Sequence, residues 1–262
     1  MKRMIYQVAV GRKSKLYEHC IESCSDYCEA HGIDHIVQRI PILKIKPDVF
    51  ATNRSKESYE KHGGFLPIYE KENAFSYWDQ YDQIAIVDAD IWIRPGARNI
   101  FDEVRPDVCF AGVIEKQMPI TEKYRQKIHN YSRMQYSPIK LDWNWDNAGG
   151  DFFNMGMMVM NKSITQYLNG ETPEQFIRRP EFKGFVDGLG PWKWSTDQTL
   201  LNYWLKKYNI PVQHLHSEWN SLYGALKDDR YYKAAQFVHF FLKDHLPNRG
   251  ENVEELMKHV NS

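Results

Sequence analysis

The 262-residue chain is long enough for one large α/β domain, and its 34 Lys plus Arg are balanced by 34 Asp plus Glu. A formal net charge of zero argues against a nucleic-acid partner or a polybasic membrane patch. Aromatic residues make up 14%, with 8 Trp and 16 Tyr, which suits either a core of large side chains or flat platforms for sugar rings.

The opening Met1–Val10 is too short and too polar for a secretory signal, and no apolar run approaches the length of a membrane span, so a soluble, cytoplasmic protein is expected. Met4–Val10 reads as a first strand, Leu16–Ala30 as a helix stopped by His31-Gly32, and Ile33–Ile40 as a second strand ended by Pro41. Strand–helix–strand argues for a parallel sheet. Cys20, Cys24 and Cys28 recur every four residues on one face of that helix, too far apart for easy disulfides, and are expected as small apolar core residues of a reducing compartment. Lys44–Gly64 is polar and weakly patterned, and is read as a loop. Ile68–Tyr81 reads as a helix and Gln83–Val87 as a strand.

Pro95-Gly96 marks a turn, Ile100–Val104 a short helix, Val108–Val113 a strand and Ile120–Met134 a helix. Tyr136–Gly150 and Gly184–Trp194 read as long loops, rich in Trp and Gly, that would shape an aromatic acceptor cleft. Between and after them come a strand at Phe153–Met160 and helices at Thr172–Arg178 and Thr196–Tyr208. The latter is capped by Ser195 or Thr196. Short strands at Val212–Leu215 and Phe237–Phe240 and a helix at Val253–Val260 complete an α/β chain without repeats or linkers.

Four segments carry chemistry. Asp88-Ala89-Asp90 emerges where the apolar run Ile84–Val87 ends, the edge at which open α/β sheets bind ligands. Two acids beside a core need a positive partner, and Mg²⁺ and Mn²⁺ take one or two carboxylates plus substrate phosphates. Asp151 and Asn154 flank the entry to an apolar strand, with Gly156 allowing close approach. Asp197 and Gln198 open a helix. His239, at the end of a late strand, offers an imidazole that can complete a metal shell. Each taken alone is equally read as a turn, a cap or a satisfied polar residue.

In this order, Asp88-Ala89-Asp90, Phe153-Asn154-Met155-Gly156, Asp197-Gln198-Thr199-Leu200-Leu201-Asn202 and His239-Phe240 resemble the motifs of retaining GT-A glycosyltransferases of family 8, the glycogenin and galactosyltransferase type. The likeness runs from about Met4 to Lys243. It implies a GT-A fold: a Rossmann-like, mostly parallel sheet flanked by helices, with a small antiparallel sub-sheet near the active site. The chain would then be one catalytic domain over 1–262, with a nucleotide-sugar half (1–113) and an acceptor half (114–262). The implied activity is hexosyl transfer from a nucleotide-sugar donor, with UDP the expected nucleotide, to a saccharide or glycosylated acceptor, with retention. The implied metal is Mn²⁺ or Mg²⁺ on Asp88, Asp90 and His239.

By the same resemblance Asp151, Asp197 and Gln198 are catalytic or sugar-contacting residues. Ala9, Val10, Gly11, Tyr17, Lys71, Asp88, Asn154 and Lys243 bind the donor. The chain departs from the family's His-Phe-x-Gly-x-x-Lys-Pro-Trp ending, having His239-Phe240-Phe241-Leu242-Lys243-Asp244-His245-Leu246-Pro247. Lys243 or His245 is left to grip the diphosphate.

Two other functions stay open at this level: a sugar nucleotidyltransferase, which would want a glycine-rich phosphate loop where Gly11–Lys15 has one glycine, and a carbohydrate-binding protein using Trp143, Trp145, Trp192 and Trp194. A homo-oligomer is left open.

Overall fold

The computed structural model describes residues 1–11, 13–48 and 60–261. Nine strands, β1 Arg3–Val8, β2 Asp34–Gln38, β3 Gln83–Val87, β4 Ile91–Ile93, β5 Phe110–Ile114, β6 Phe153–Asn161, β7 Val212–His214, β8 Ser221–Leu222 and β9 Phe237–His239, form two sheets among the described residues. The α-helices lying wholly among the described residues are α1 Lys15–His31, α2 Glu122–Tyr136, α3 Pro173–Ile177, α4 Lys183–Asp187, α5 Asp197–Lys207, α6 Arg230–Lys233 and α7 Val253–Asn261.

The main sheet has the order β2-β1-β3-β6-β5-β7. Pairing is parallel for β1–β2, β1–β3 and β5–β7, and antiparallel where β6 inserts between β3 and β5. Because β6 runs backwards, its first residues lie at the same sheet edge as the last residues of β1, β3 and β5; Val87 pairs with Met157. The small sheet, β4-β9-β8, is antiparallel between β4 and β9 and parallel between β8 and β9, with Ile91 opposite His239. Both motif acids and the late histidine thus come to one place by register alone.

The apolar runs behave as buried strands: all residues of β3, β4 and β5 are buried. One core lies on each face of the main sheet, the first around Tyr6, Phe75, Phe176 and Trp204, the second around Ile5, Cys24, Phe101 and Trp219. Burying a side chain of that size contributes roughly 1.5–3 kcal/mol. The cysteines are free and buried, as expected of a core stripe.

Helix signals are answered in detail. α1 ends on Gly32 in the left-handed region (φ 63°), whose N–H bonds the carbonyls of Cys28 and Glu29. Thr196, of the two expected caps, receives the Gln198 N–H. The segment expected as a helix over Ile68–Tyr81 is instead a run of 3₁₀ turns over Pro67–Tyr77. Seven consecutive residues there, Tyr69–Phe75, are buried, so no single face of a 3.6-residue spiral governs it. The expected loop Gly184–Trp194 contains α4 and a 3₁₀ turn at Gly190–Trp192, because Gly188 (φ 66°) closes a helix too short to show periodicity. The expected connection Lys44–Gly64 falls largely outside the described residues. No described helix is long and apolar enough to cross a membrane.

Candidate active site

Asp88 directly follows β3 and Asp90 directly precedes β4, joined by a tight turn in which the Ile91 N–H bonds the Asp88 carbonyl at 3.0 Å. The turn is held from two sides. The Asp88 N–H donates to the Gly156 carbonyl at 2.7 Å, and the Phe240 N–H donates to the Asp90 carbonyl at 2.9 Å. His239 Nε2 lies 3.3 Å from Asp90 Oδ1 and 3.9 Å from Asp88 Oδ2. One ligand atom from each of the three residues fits within 4.8 Å of the others, a set that can hold a metal ion.

Gly156 makes room for the imidazole. A Cβ there would fall 2.4 Å from His239 Cε1 and 2.7 Å from Nδ1. Glycine at this strand position is a packing requirement of His239.

A second charge pair abuts the first. Lys71 Nζ lies 2.6 Å from Asp88 Oδ1, 3.0 Å from Asp197 Oδ2 and 3.3 Å from the Met155 carbonyl. Burial disfavours the Lys71 ammonium, but Asp197 and Asp88 outweigh it and raise its pKa. For Asp88, burial dominates over the pull of Lys71, and the repulsion of Asp90 adds to it, pushing its pKa up to about 6. Asp90 feels the same burial, but the His239 hydrogen bond prevails and its pKa is lowered. Glu72, next to Lys71, is fully buried with neither carboxylate oxygen hydrogen-bonded. Burial and then Asp197 hold its pKa well above the usual range.

Gln198 and Asn154 are brought to the same edge. Gln198 Oε1 accepts from the Met155 N–H at 3.2 Å, and its Nε2 donates to Glu115 Oε1 at 3.1 Å. Asn154 Nδ2 donates to the same Glu115 oxygen at 2.7 Å. Glu115, just after β5, and Asn220, which bonds His239 at 3.0 Å, belong to none of the four motifs. Glu115 is one of three consecutive polar residues after β5 and Asn220 follows no apolar run, so nothing local marks either of them.

Ala9, Val10 and Gly11 follow β1, whose Tyr6 pairs with Ile86, so they flank the Asp88 edge. Gln7 Nε2 reaches the Asp88 carbonyl at 3.3 Å. Lys243 donates to the Tyr17 hydroxyl, and its Nζ lies 3.9 Å from the Tyr17 ring centroid. Burial and then the charge of Asp90 raise the Tyr17 pKa. His245, the other candidate for the altered ending, lies instead beside Gly224, with its ring Nδ1 3.8 Å from where that residue's Cβ would sit.

The structure does not bring Asp151 into this cluster. Asp151 pairs with Lys116 at 2.7 Å and accepts from Asn144 at 2.6 Å, beside a cavity of about 470 Å³ lined also by Phe153, Lys206 and His214. Among the described residues none of its polar contacts reaches Asp88, Asp90, Asp197 or Gln198. The Trp platforms also divide. Trp143 is a core residue 4.6 Å from the Tyr136 ring, and Trp192 is anchored by its indole N–H to the Gln135 carbonyl. Trp194 is exposed.

With this geometry in hand, the molecule can be set beside known proteins. No family model and no curated protein sequence matches the chain. Solved structures do. A glycosyltransferase involved in the glycosylation of the major capsid of PBCV-1 superposes with a TM-score of 0.54 at 12% identity, covering 97% of this chain and all of that one. Mouse xyloside xylosyltransferase 1 gives 0.52 at 12% identity over 94% of this chain and all of that one. The bifunctional glycosyltransferase WbbM gives 0.50 at 12% identity over all of this chain and 50% of that one. The fold is GT-A. The GT-A sheet explains why a reversed β6 meets the ends of β3 and β5: that crossing gathers residues from four strands at one edge.

Proposed function

We propose that the protein is a glycosyltransferase moving a sugar, expected to be a hexose, from a nucleoside diphosphate, expected to be UDP, to a hydroxyl of a saccharide or glycosylated acceptor. The observation that carries this reading is the convergence of Asp88, Asp90 and His239 within ligand distance of one another, next to a buried Lys71–Asp197 pair, at the carboxyl edge of a GT-A sheet. Two carboxylate oxygens and one imidazole are a donor set suited to Mn²⁺ or Mg²⁺ carrying a diphosphate. The bound cation would neutralise charge developing on the leaving diphosphate.

The remaining work falls to side chains. Lys71, held between Asp88 and Asp197, has donors in reach of an anionic or hydroxyl-bearing donor group. Asp197 can accept hydroxyl protons from the sugar, while Asn154 and Gln198 are fixed in place by backbone N–H groups. Ala9, Val10, Gly11 and Tyr17 would border the nucleotide, and Lys243 would meet the diphosphate from the Tyr17 side. Gln198 is a poor nucleophile, so retention is assigned to attack on the leaving-group face. In this reading residues 1–262 act as one catalytic domain whose first 113 residues hold the donor.

The test is sugar-nucleotide hydrolysis and transfer, with and without Mn²⁺, in the wild type and in Asp90→Ala. Turnover should need the cation and fall on the order of 10²–10³-fold in the variant, the scale of removing one electrostatic stabiliser. Metal-independent sugar binding that is equal in both proteins, with no turnover, would sink the proposal in favour of a binding protein.

A further inference from the structure

His239 is the ligand whose chemistry depends on where one proton sits, and the structure contains a hydrogen-bond chain whose direction can be worked out from its ends. The far end is Glu115, buried just after β5; burial raises its pKa, and in its ionised form the carboxylate can only accept. Asn154 Nδ2 donates to it at 2.7 Å. The opposite side of the same amide is fixed independently: Asn154 Oδ1 receives the Gly156 backbone N–H at 3.0 Å, and a backbone N–H can only donate. The orientation of Asn154 is therefore determined twice over, which removes the usual ambiguity between amide oxygen and nitrogen.

The next link follows. Asn220, fully buried, approaches Asn154 Oδ1 at 2.8 Å, and only its Nδ2 can donate there. Its Oδ1 then faces His239 Nδ1 at 3.0 Å and must receive a proton from it. Nδ1 carries a hydrogen whatever the state of Nε2; without a cation Nε2–H donates to Asp90, and when a cation displaces that proton Nε2 presents its lone pair to the space beside Asp88 and Asp90.

We infer that Glu115, acting through Asn154 and Asn220, is a positioning residue that fixes the His239 tautomer so that Nε2 is the cation-binding nitrogen. The inference rests on the cation site proposed above. It extends that site to a carboxylate outside every motif. The Glu115 oxygen at the head of the chain also takes the Gln198 Nε2–H at 3.1 Å, so one atom orients both Gln198 and, three links away, His239. Such outer partners of a ligating histidine usually control affinity by 10–100-fold.

The test uses ¹⁵N-labelled full-length protein, Mn²⁺ as probe, and Glu115→Gln and Glu115→Met. Gln keeps an acceptor oxygen for both amides; Met keeps the volume and removes it. Ring ¹⁵N–¹H correlations of metal-free wild type should show His239 protonated on Nδ1, a measurement that needs no variant to fold. Mn²⁺ affinity, read by electron paramagnetic resonance, should fall about 10–100-fold in Glu115→Met and stay within about threefold of wild type in Glu115→Gln. Glu115→Met should also populate the Nε2–H tautomer. A wild type protonated on Nε2 but not on Nδ1, or a Glu115→Met protein with unchanged Nδ1 protonation and affinity, overturns the inference. If the tautomer behaves as stated but no protein binds Mn²⁺, the relay stands and the cation reading falls.

Discussion

Two lysine–carboxylate clusters lie at the same edge of this sheet and are built on opposite principles. In one, Lys116 meets Asp146, Asp151 and the Asn144 carbonyl at 2.7–3.1 Å, and Asp146 is half exposed. Burial tends to raise the pKa of Asp151, but hydrogen bonds from Lys116 and Asn144 outweigh it and the pKa is lowered. The ionised form is satisfied by the protein alone. In the other cluster Asp88, Asp90 and Asp197 crowd around Lys71 and His239, and Asp88 is pushed up to about 6. The protein underprovides positive charge there. A closed network stabilises the fold, whereas an open one waits for a ligand; in the open cluster Asp90 is lowered by His239 as Asp151 is by Lys116, and Asp88 is the carboxylate left raised.

The largest effect should come from removing the one lysine that the open cluster has. Lys71→Met strands Asp88 and Asp197 in the interior, and losing one partner of a buried pair costs about 3–5 kcal/mol. Chemical unfolding of the chelator-treated protein measures it, and added Mn²⁺ should restore part of the loss by binding only the folded state. A loss below about 1 kcal/mol would mean that the two clusters do not differ in kind.

Next in size is Gly156→Ala. The added methyl meets His239 at 2.4 Å in a strand packed on both faces, and overpacking of this sort costs about 1–3 kcal/mol. Because it displaces the histidine and spares both acids, Mn²⁺ affinity should drop more than sugar-nucleotide affinity measured without metal. Equal losses of the two would show a general collapse of the edge.

Asp88→Asn should act in the opposite direction on stability. A carboxylate whose folded pKa is raised from 3.8 to about 6 contributes stability below pH 3.8 that is lost as pH rises through 6. The amide mimics the neutral form, so at pH 7 the metal-free variant should be more stable, on the order of 1–3 kcal/mol, while losing Mn²⁺ binding. A melting temperature below that of wild type at pH 7 would show that the Lys71 pair outweighs desolvation after all.

How much of this can be read from the chain alone varies with the kind of signal. Asp88-Ala89-Asp90 is legible because the apolar run Ile84–Val87 precedes it, and Asn154, Gln198 and His239 because each lies at an end of a patterned element. Lys71 is visible only through resemblance, since the buried run Tyr69–Phe75 has no periodicity to place it. Glu115 and Asn220 carry no local signal: their roles arise from pairing of β5 with β6 and of β8 with β9, contacts between residues far apart in the chain. β4 and β8, three and two residues long, are too short for period-two alternation to register. Asp151 shows the converse, since its place before an apolar strand suggests the sugar pocket, yet Lys116, two residues beyond the end of β5, claims it.

Asp151→Asn should give the smallest effect and the sharpest contrast. A partly solvated ion pair contributes about 0.2–1 kcal/mol, so the loss at pH 7 should be no larger than that. The pH dependence carries the information. A carboxylate with a lowered folded pKa contributes stability above its ordinary pKa of 3.8 that is lost as pH falls through the lower value. Wild type should therefore lose this increment below pH 4, and the variant should not. Asp88→Asn alters the curve on the other side, between 4 and 6. Mn²⁺ affinity should be unchanged in Asp151→Asn, because none of the described polar contacts of Asp151 reaches Asp88, Asp90 or His239. If transfer activity falls more than about tenfold with stability and metal binding intact, the Lys116 cluster is no closed network, and Asp151 reaches the sugar as the family resemblance implies.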